Sequence, residues 1–70
     1  MITIRVFRSG GGPISGKDVK IHDGGISTKR TDSTGTANFE NLKRGKYEIY
    51  IDGKRVYKGP IVDVQVVYVN

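Results

Sequence analysis

The chain has 70 residues, no cysteine and a single histidine. Without cysteine there can be no disulfide, no thiolate metal site and no nucleophilic thiol. One histidine, His22, has no second imidazole to share a zinc ion with, and no serine sits in a glycine-flanked nucleophile elbow. Ser9, Ser15, Ser27 and Ser33 instead fall in turns or in an exposed strand. The run Gly10-Gly11-Gly12 lacks the lysine spacing and the following helix of a phosphate-binding loop. Long apolar runs are missing too. Nothing approaches the roughly 18 apolar residues of a membrane helix, and no apolar leader block follows Met1. Helical spacing of apolar residues is absent from every window. These absences argue against an enzyme, and against a bound cofactor or metal ion.

Length sets a further bound. A chain of this size forms one domain, spanning residues 1–70, and buries roughly 60 per cent of its unfolded surface. Its stability must come from a compact apolar interior, which leaves little room for an enclosed active-site cavity. Twelve Lys plus Arg against seven Asp plus Glu give a formal net charge of +5. That excess favours encounter with anionic neighbours without specifying any of them.

What the chain does contain is alternation with period two, the pattern of half-buried strands. In the first strand, Ile2 to Arg8, Ile2, Ile4 and Val6 share an inward face and Phe7 falls outward. Val19 and Ile21 point inward from Asp18 to His22, and Asp23-Gly24-Gly25 supplies a tight turn. Ile26 to Thr31 is polar and β-branched, the character of an edge strand. Asp32-Ser33-Thr34-Gly35 has type I turn chemistry. Ala37 and Phe39 share a face, Leu42 plugs the next loop, and Tyr47, Ile49 and Ile51 point inward. Asp52-Gly53 is a two-residue hairpin signal leading into Lys54 to Tyr57. After Lys58-Gly59-Pro60, a last strand from Ile61 to Val69 is expected to bury Val62, Val64, Val66 and Tyr68. Val67 and Val69 make its other face apolar as well, so this strand is expected to lie centrally or under cover. About seven short strands at roughly ten-residue spacing read as an all-β, antiparallel β-sandwich.

The strings P-I-S-G-K-D-V-K-I and T-D-S-T-G-T-A-N-F-E-N-L-K-R-G-K-Y-E-I-Y-I resemble small carboxypeptidase regulatory-like and B-type collagen-adhesin repeat domains. The resemblance is carried by Gly16 and Val19, by Thr31, Asp32, Gly35 and Phe39, and by Asn41, Leu42, Gly45 and Tyr47. It implies a transthyretin-like (prealbumin-like) sandwich of seven strands, a scaffold that serves many unrelated ends. Adhesin repeats of this kind often join a first-strand Lys to a last-strand Asn by an isopeptide bond. Here the first strand offers only Arg5 and Arg8, and a guanidinium is a poor nucleophile. No such bond is expected.

The surface residues that could bind something are basic and aromatic. Lys29-Arg30, Lys43-Arg44 and Lys54-Arg55 are dibasic pairs in exposed segments, and Tyr50 and Tyr57 could stack on a base or a sugar ring. Adjacent strand residues point oppositely, so the pairs need not form one patch. Asp23, Asp32 and Asp52 read as turn formers rather than calcium ligands. The leading expectation is a non-catalytic protein-interaction or structural accessory module, docking on another protein or domain through an edge strand or loops. The alternative is a basic β-module for nucleic acid or an anionic polysaccharide. A complete chain starting at Met1 would be cytoplasmic, whereas an excised domain of the family it resembles would be extracellular or periplasmic.

Overall fold

The computed structural model describes residues Met1–Asn70 as seven strands without a helix. These are β1 (Ile2–Arg8), β2 (Asp18–His22), β3 (Ile26–Arg30), β4 (Thr36–Phe39), β5 (Gly45–Ile51), β6 (Lys54–Ile61) and β7 (Val64–Val69). They form a three-stranded sheet of order β4-β1-β7 and a four-stranded sheet of order β3-β2-β5-β6. No helix is present that could cross a membrane.

Alternation decides which residues meet between the sheets. Ile2, Ile4 and Val6 of β1, with Ala37, Phe39 and Val67, form one wall of a single core. Val19, Ile21, Ile49, Ile51 and Ile61 form the other. Fully burying such a side chain is worth about 1.5–3 kcal/mol, which makes this cluster the main source of stability. Leu42 and Tyr47 close its loop end, and the Tyr47 hydroxyl donates to the Lys43 carbonyl.

The turns follow their residues. Asp52 (φ 53°) and Gly53 (φ 80°) both adopt left-handed backbone, and Ile51 pairs with Lys54 across a two-residue hairpin. In the β3–β4 connection, the Asp32 carbonyl accepts the Gly35 N–H at 3.0 Å. Asp32 Oδ1 also accepts the N–H and hydroxyl of Thr34, at 2.9 and 2.7 Å, and the Thr36 N–H at 3.1 Å. Three donors hold the Asp32 carboxyl below its usual range, the Thr34 hydroxyl most of all.

Residues 9–17 fold back along β1 beyond the end of β4. The Ile14 N–H reaches the Val6 carbonyl at 3.0 Å, and the Val6 N–H reaches Gly35 O at 2.8 Å. Thr31 is the one buried polar side chain. Its hydroxyl donates to Ile14 O and accepts the Lys17 N–H, both at 2.9 Å. The same residue's backbone bonds Gly16 and Lys17. Thr31 therefore fastens this loop to the sheet from both its main chain and its side chain.

Three expectations for the C-terminal third are corrected. First, the sandwich is not wholly antiparallel, because β1 and β7 run parallel, with Val6 beside Val67 and Phe7 beside Tyr68. Second, β6 continues through Gly59-Pro60 to Ile61, and the turn falls at Val62-Asp63. Pro60 is tolerated because β6 is a sheet edge, where a missing N–H costs no ladder bond. Third, β7 turns its other face to the core. Val67 is buried, whereas Val62, Val64 and Tyr68 are 70%, 54% and 63% exposed. The strand is also a sheet edge rather than a central strand. Parallel pairing explains the facing: Gln65 and Val67 lie beside the inward Ile4 and Val6 and are carried inward with them.

Candidate interaction surface

The basic and aromatic residues do not converge on one patch. Lys43 and Arg44 lie in the β4–β5 connection, at the end of the molecule that also carries the Asp23-Gly24-Gly25 turn. The other two pairs lie on β3 and β6. Strand alternation then splits each of them. Arg30 pairs with Asp18 on the outer face, at 3.3 Å, while Lys29 borders a groove of about 370 Å³ between β3 and β4. Arg55 sits opposite Tyr50 on the outer face. Lys54 points the other way along the strand, and both side chains border a shallow cleft of about 480 Å³ together with Arg8, Lys17 and Asp52. Lys17 and Asp52 pair there at 2.7 Å.

Tyr57 is not an exposed platform. A β-bulge between Ile49 and Tyr50 inserts Val56, so Tyr57 pairs with the core residue Ile49. It packs half-buried against the core and donates its hydroxyl to Pro60 O at 2.6 Å.

Tyr50 does lie on the outer face of the four-stranded sheet. Register places Lys20, Tyr50 and Arg55 in one row and His22, Glu48 and Lys58 in the next. The His22 and Tyr50 rings stack with centroids 4.4 Å apart. The Tyr50 hydroxyl and the Arg55 guanidinium both donate to Glu48 Oε1, at 3.1 and 3.2 Å. Arg55 above all, then Tyr50, holds the Glu48 carboxyl below its ordinary range. Both carboxylates of this face are paired with arginines, while Lys20 and Lys58 are left without a carboxylate partner.

The outer face of the three-stranded sheet has a different character. Val64, Val66 and Tyr68 project from β7, and Phe7 from β1 stands 6.3 Å from the Tyr68 ring. Arg5 caps the aromatic pair, its guanidinium 5.0 Å from the Phe7 centroid. Parity predicts the outward Phe7 but puts Val64, Val66 and Tyr68 in the core, whereas the structure turns them to the outer face. The signal was present in the apolar second face of that strand, which only one side of the core could accommodate.

The four sheet edges are protected unequally. β3 carries Lys29 and Arg30, as befits the expected edge from Ile26 onward. β6 carries Lys54, Arg55, Lys58, a bulge and Pro60. β4 has four residues. Charge, proline, bulges and shortness are the devices that stop strands from pairing with strangers. β7 is six residues long, Val-Gln-Val-Val-Tyr-Val, with no charge and no proline. It alone has none of these devices.

No group of three or more His, Cys, Asp or Glu side chains is placed to hold a metal ion. Compared with protein-family models, curated proteins and solved structures, the chain matches none.

Proposed function

We propose that the chain is a non-catalytic protein-interaction module built on a transthyretin-like sandwich of the carboxypeptidase regulatory-like kind, and that it docks through β7. The Thr31-to-Tyr47 segment and the two sheets around one core support the scaffold reading. The observation that carries the docking reading is the unguarded, uncharged edge strand with an exposed apolar outer face. Strand addition at such an edge supplies main-chain bonds, and the apolar side chains supply selectivity. A photoreactive phenylalanine analogue at Tyr68 should give discrete cross-linked adducts in the native host, suppressed by Val66→Lys. The same analogue at Thr28, on the guarded β3 edge, should give none. Equal labelling from both positions, or none from Tyr68, overturns the reading.

A second reading, binding of nucleic acid or an anionic polysaccharide, is favoured by the row Lys20, Tyr50 and Arg55 on the four-stranded sheet. It requires affinity for single-stranded DNA or heparin that falls steeply with added salt. Absence of binding at low salt removes it.

A further inference from the structure

We infer that the partner of β7 is a second copy of the chain, joined across a two-fold axis at Val66 into a continuous six-stranded sheet. This inference rests on the docking reading above and specifies its partner.

Backbone direction defines the register. Thr3 N–H donates to Asp63 O and Ser9 N–H donates to Val69 O. These two bonds bracket the strand and turn the main-chain groups of residues 63, 65, 67 and 69 toward β1. Alternation then aims the N–H and C=O groups of Val64, Val66 and Tyr68 at the free edge. The three outward residues are spaced symmetrically about Val66. An antiparallel copy can therefore place Val66 opposite Val66, and Val64 opposite Tyr68 on both sides. Each pair exchanges two main-chain bonds, about six in all. The Gln65 side chain, whose Nε2 now donates to Val66 O at 3.0 Å, leaves that carbonyl a second lone pair for the partner.

Side chains agree with that register. The outer face of the seam would hold one Val–Val and two Val–Tyr cross-strand pairs, which are favourable combinations. No charge lies in β7, so the seam opposes no like charges although each molecule carries a formal +5. Self-pairing of β3 would bring Lys29 and Arg30 from both copies into one seam, and self-pairing of β6 would crowd Lys54, Arg55 and Lys58 and include Pro60. β4 is free of charge and proline but has only four residues, so β7 is the one longer edge that can meet its own copy without repulsion or a missing donor. The pairing also accounts for a strand apolar on both faces. One face lines the core, and the other becomes part of a wider apolar sheet surface shared by two molecules.

The test is analytical ultracentrifugation of the full chain from micromolar to millimolar concentration, combined with residue-resolved amide exchange. The expected result is a dimer in which the Val64, Val66 and Tyr68 amides become slower to exchange as concentration rises. The edge amides of Thr28 and Arg30 should not change. Val66→Lys sets two like charges opposite each other and should raise the dimer dissociation constant at least about tenfold. Tyr68→Lys provides a second outward variant if the first does not fold. A monomer throughout the range, or a dimer whose β7 amides stay fast, overturns the inference. A monomer that still gives Val66-dependent adducts from Tyr68 sinks self-pairing alone; a monomer without adducts sinks the docking reading too.

Discussion

Gly35→Ala should be among the most damaging single changes the chain can suffer, although it adds one methyl group. Gly35 is buried with φ +75°, in the left-handed region that L side chains rarely adopt. A Cβ there would stand 2.7 Å from the Val6 carbonyl oxygen and 2.9 Å from Pro13 Cβ. Main chain and a proline ring cannot rotate aside. The left-handed conformation alone costs about 1–2 kcal/mol for a residue with a side chain. Relieving the clash must stretch the Val6–Gly35 and Ile14–Val6 hydrogen bonds, each worth about 0.5–1.5 kcal/mol net. The sum is about 3 kcal/mol, or a fall in Tm on the order of 12–24 °C for a domain of this size. Gly53 isolates the steric part. Its φ is +80°, yet nothing lies within 4 Å of an added Cβ. Gly53→Ala should therefore cost the conformational share only, about 1–2 kcal/mol. Thermal unfolding followed by circular dichroism measures both variants against the parent. Equal losses from Gly35→Ala and Gly53→Ala would refute the packing of the β3–β4 turn against β1.

Thr31→Val keeps the shape of the buried side chain but leaves the Ile14 carbonyl and the Lys17 N–H without their partner. A loss of about 1–3 kcal/mol is expected in urea unfolding, and a change smaller than a typical surface substitution would contradict the fastening role of Thr31. Acid should weaken the fold through Asp32 and Glu48, whose carboxyls ionise more readily folded than unfolded. The stabilisation is present above their unfolded values, near 3.8 and 4.5, and is lost as pH falls through the lower folded values. Asp32→Asn should lower Tm at neutral pH and shrink its acid-dependent fall. An acid-dependent fall as large as the parent's would remove Asp32 from the account.

Much of the first two-thirds of the fold was legible because local rules agree there. The inward positions of β1, β2, β4 and β5, the Asp52-Gly53 hairpin and the Asp32 turn all follow from alternation and turn chemistry within a few residues. The last third depends on relationships that alternation does not encode. Both parities of β7 are apolar, so facing was decided by its parallel register with β1, a partner some sixty positions away in the chain. Gly59-Pro60 has turn chemistry, yet an edge strand accommodates it. Val56 shifts the parity of β6 by one residue, which took Tyr57 from the outer face to the core side. The candidate surface was legible in parts: Tyr50 and Arg55 are neighbours on one face, but the dibasic pairs divide between faces and ends. The apolar edge was hidden by the very pattern that marked it, since an apolar residue at the correct spacing reads as core.

The facing of β7 carries the account, and thiol-labelling rates along that strand test it most directly. The chain has no cysteine of its own, so single replacements at Val64, Val66, Val67 and Tyr68 can each be followed without background. Rapid modification at 64, 66 and 68 with slow modification at 67 is the predicted pattern. Slow modification at 64, 66 and 68 with rapid modification at 67 would return those side chains to the core and remove the docking surface.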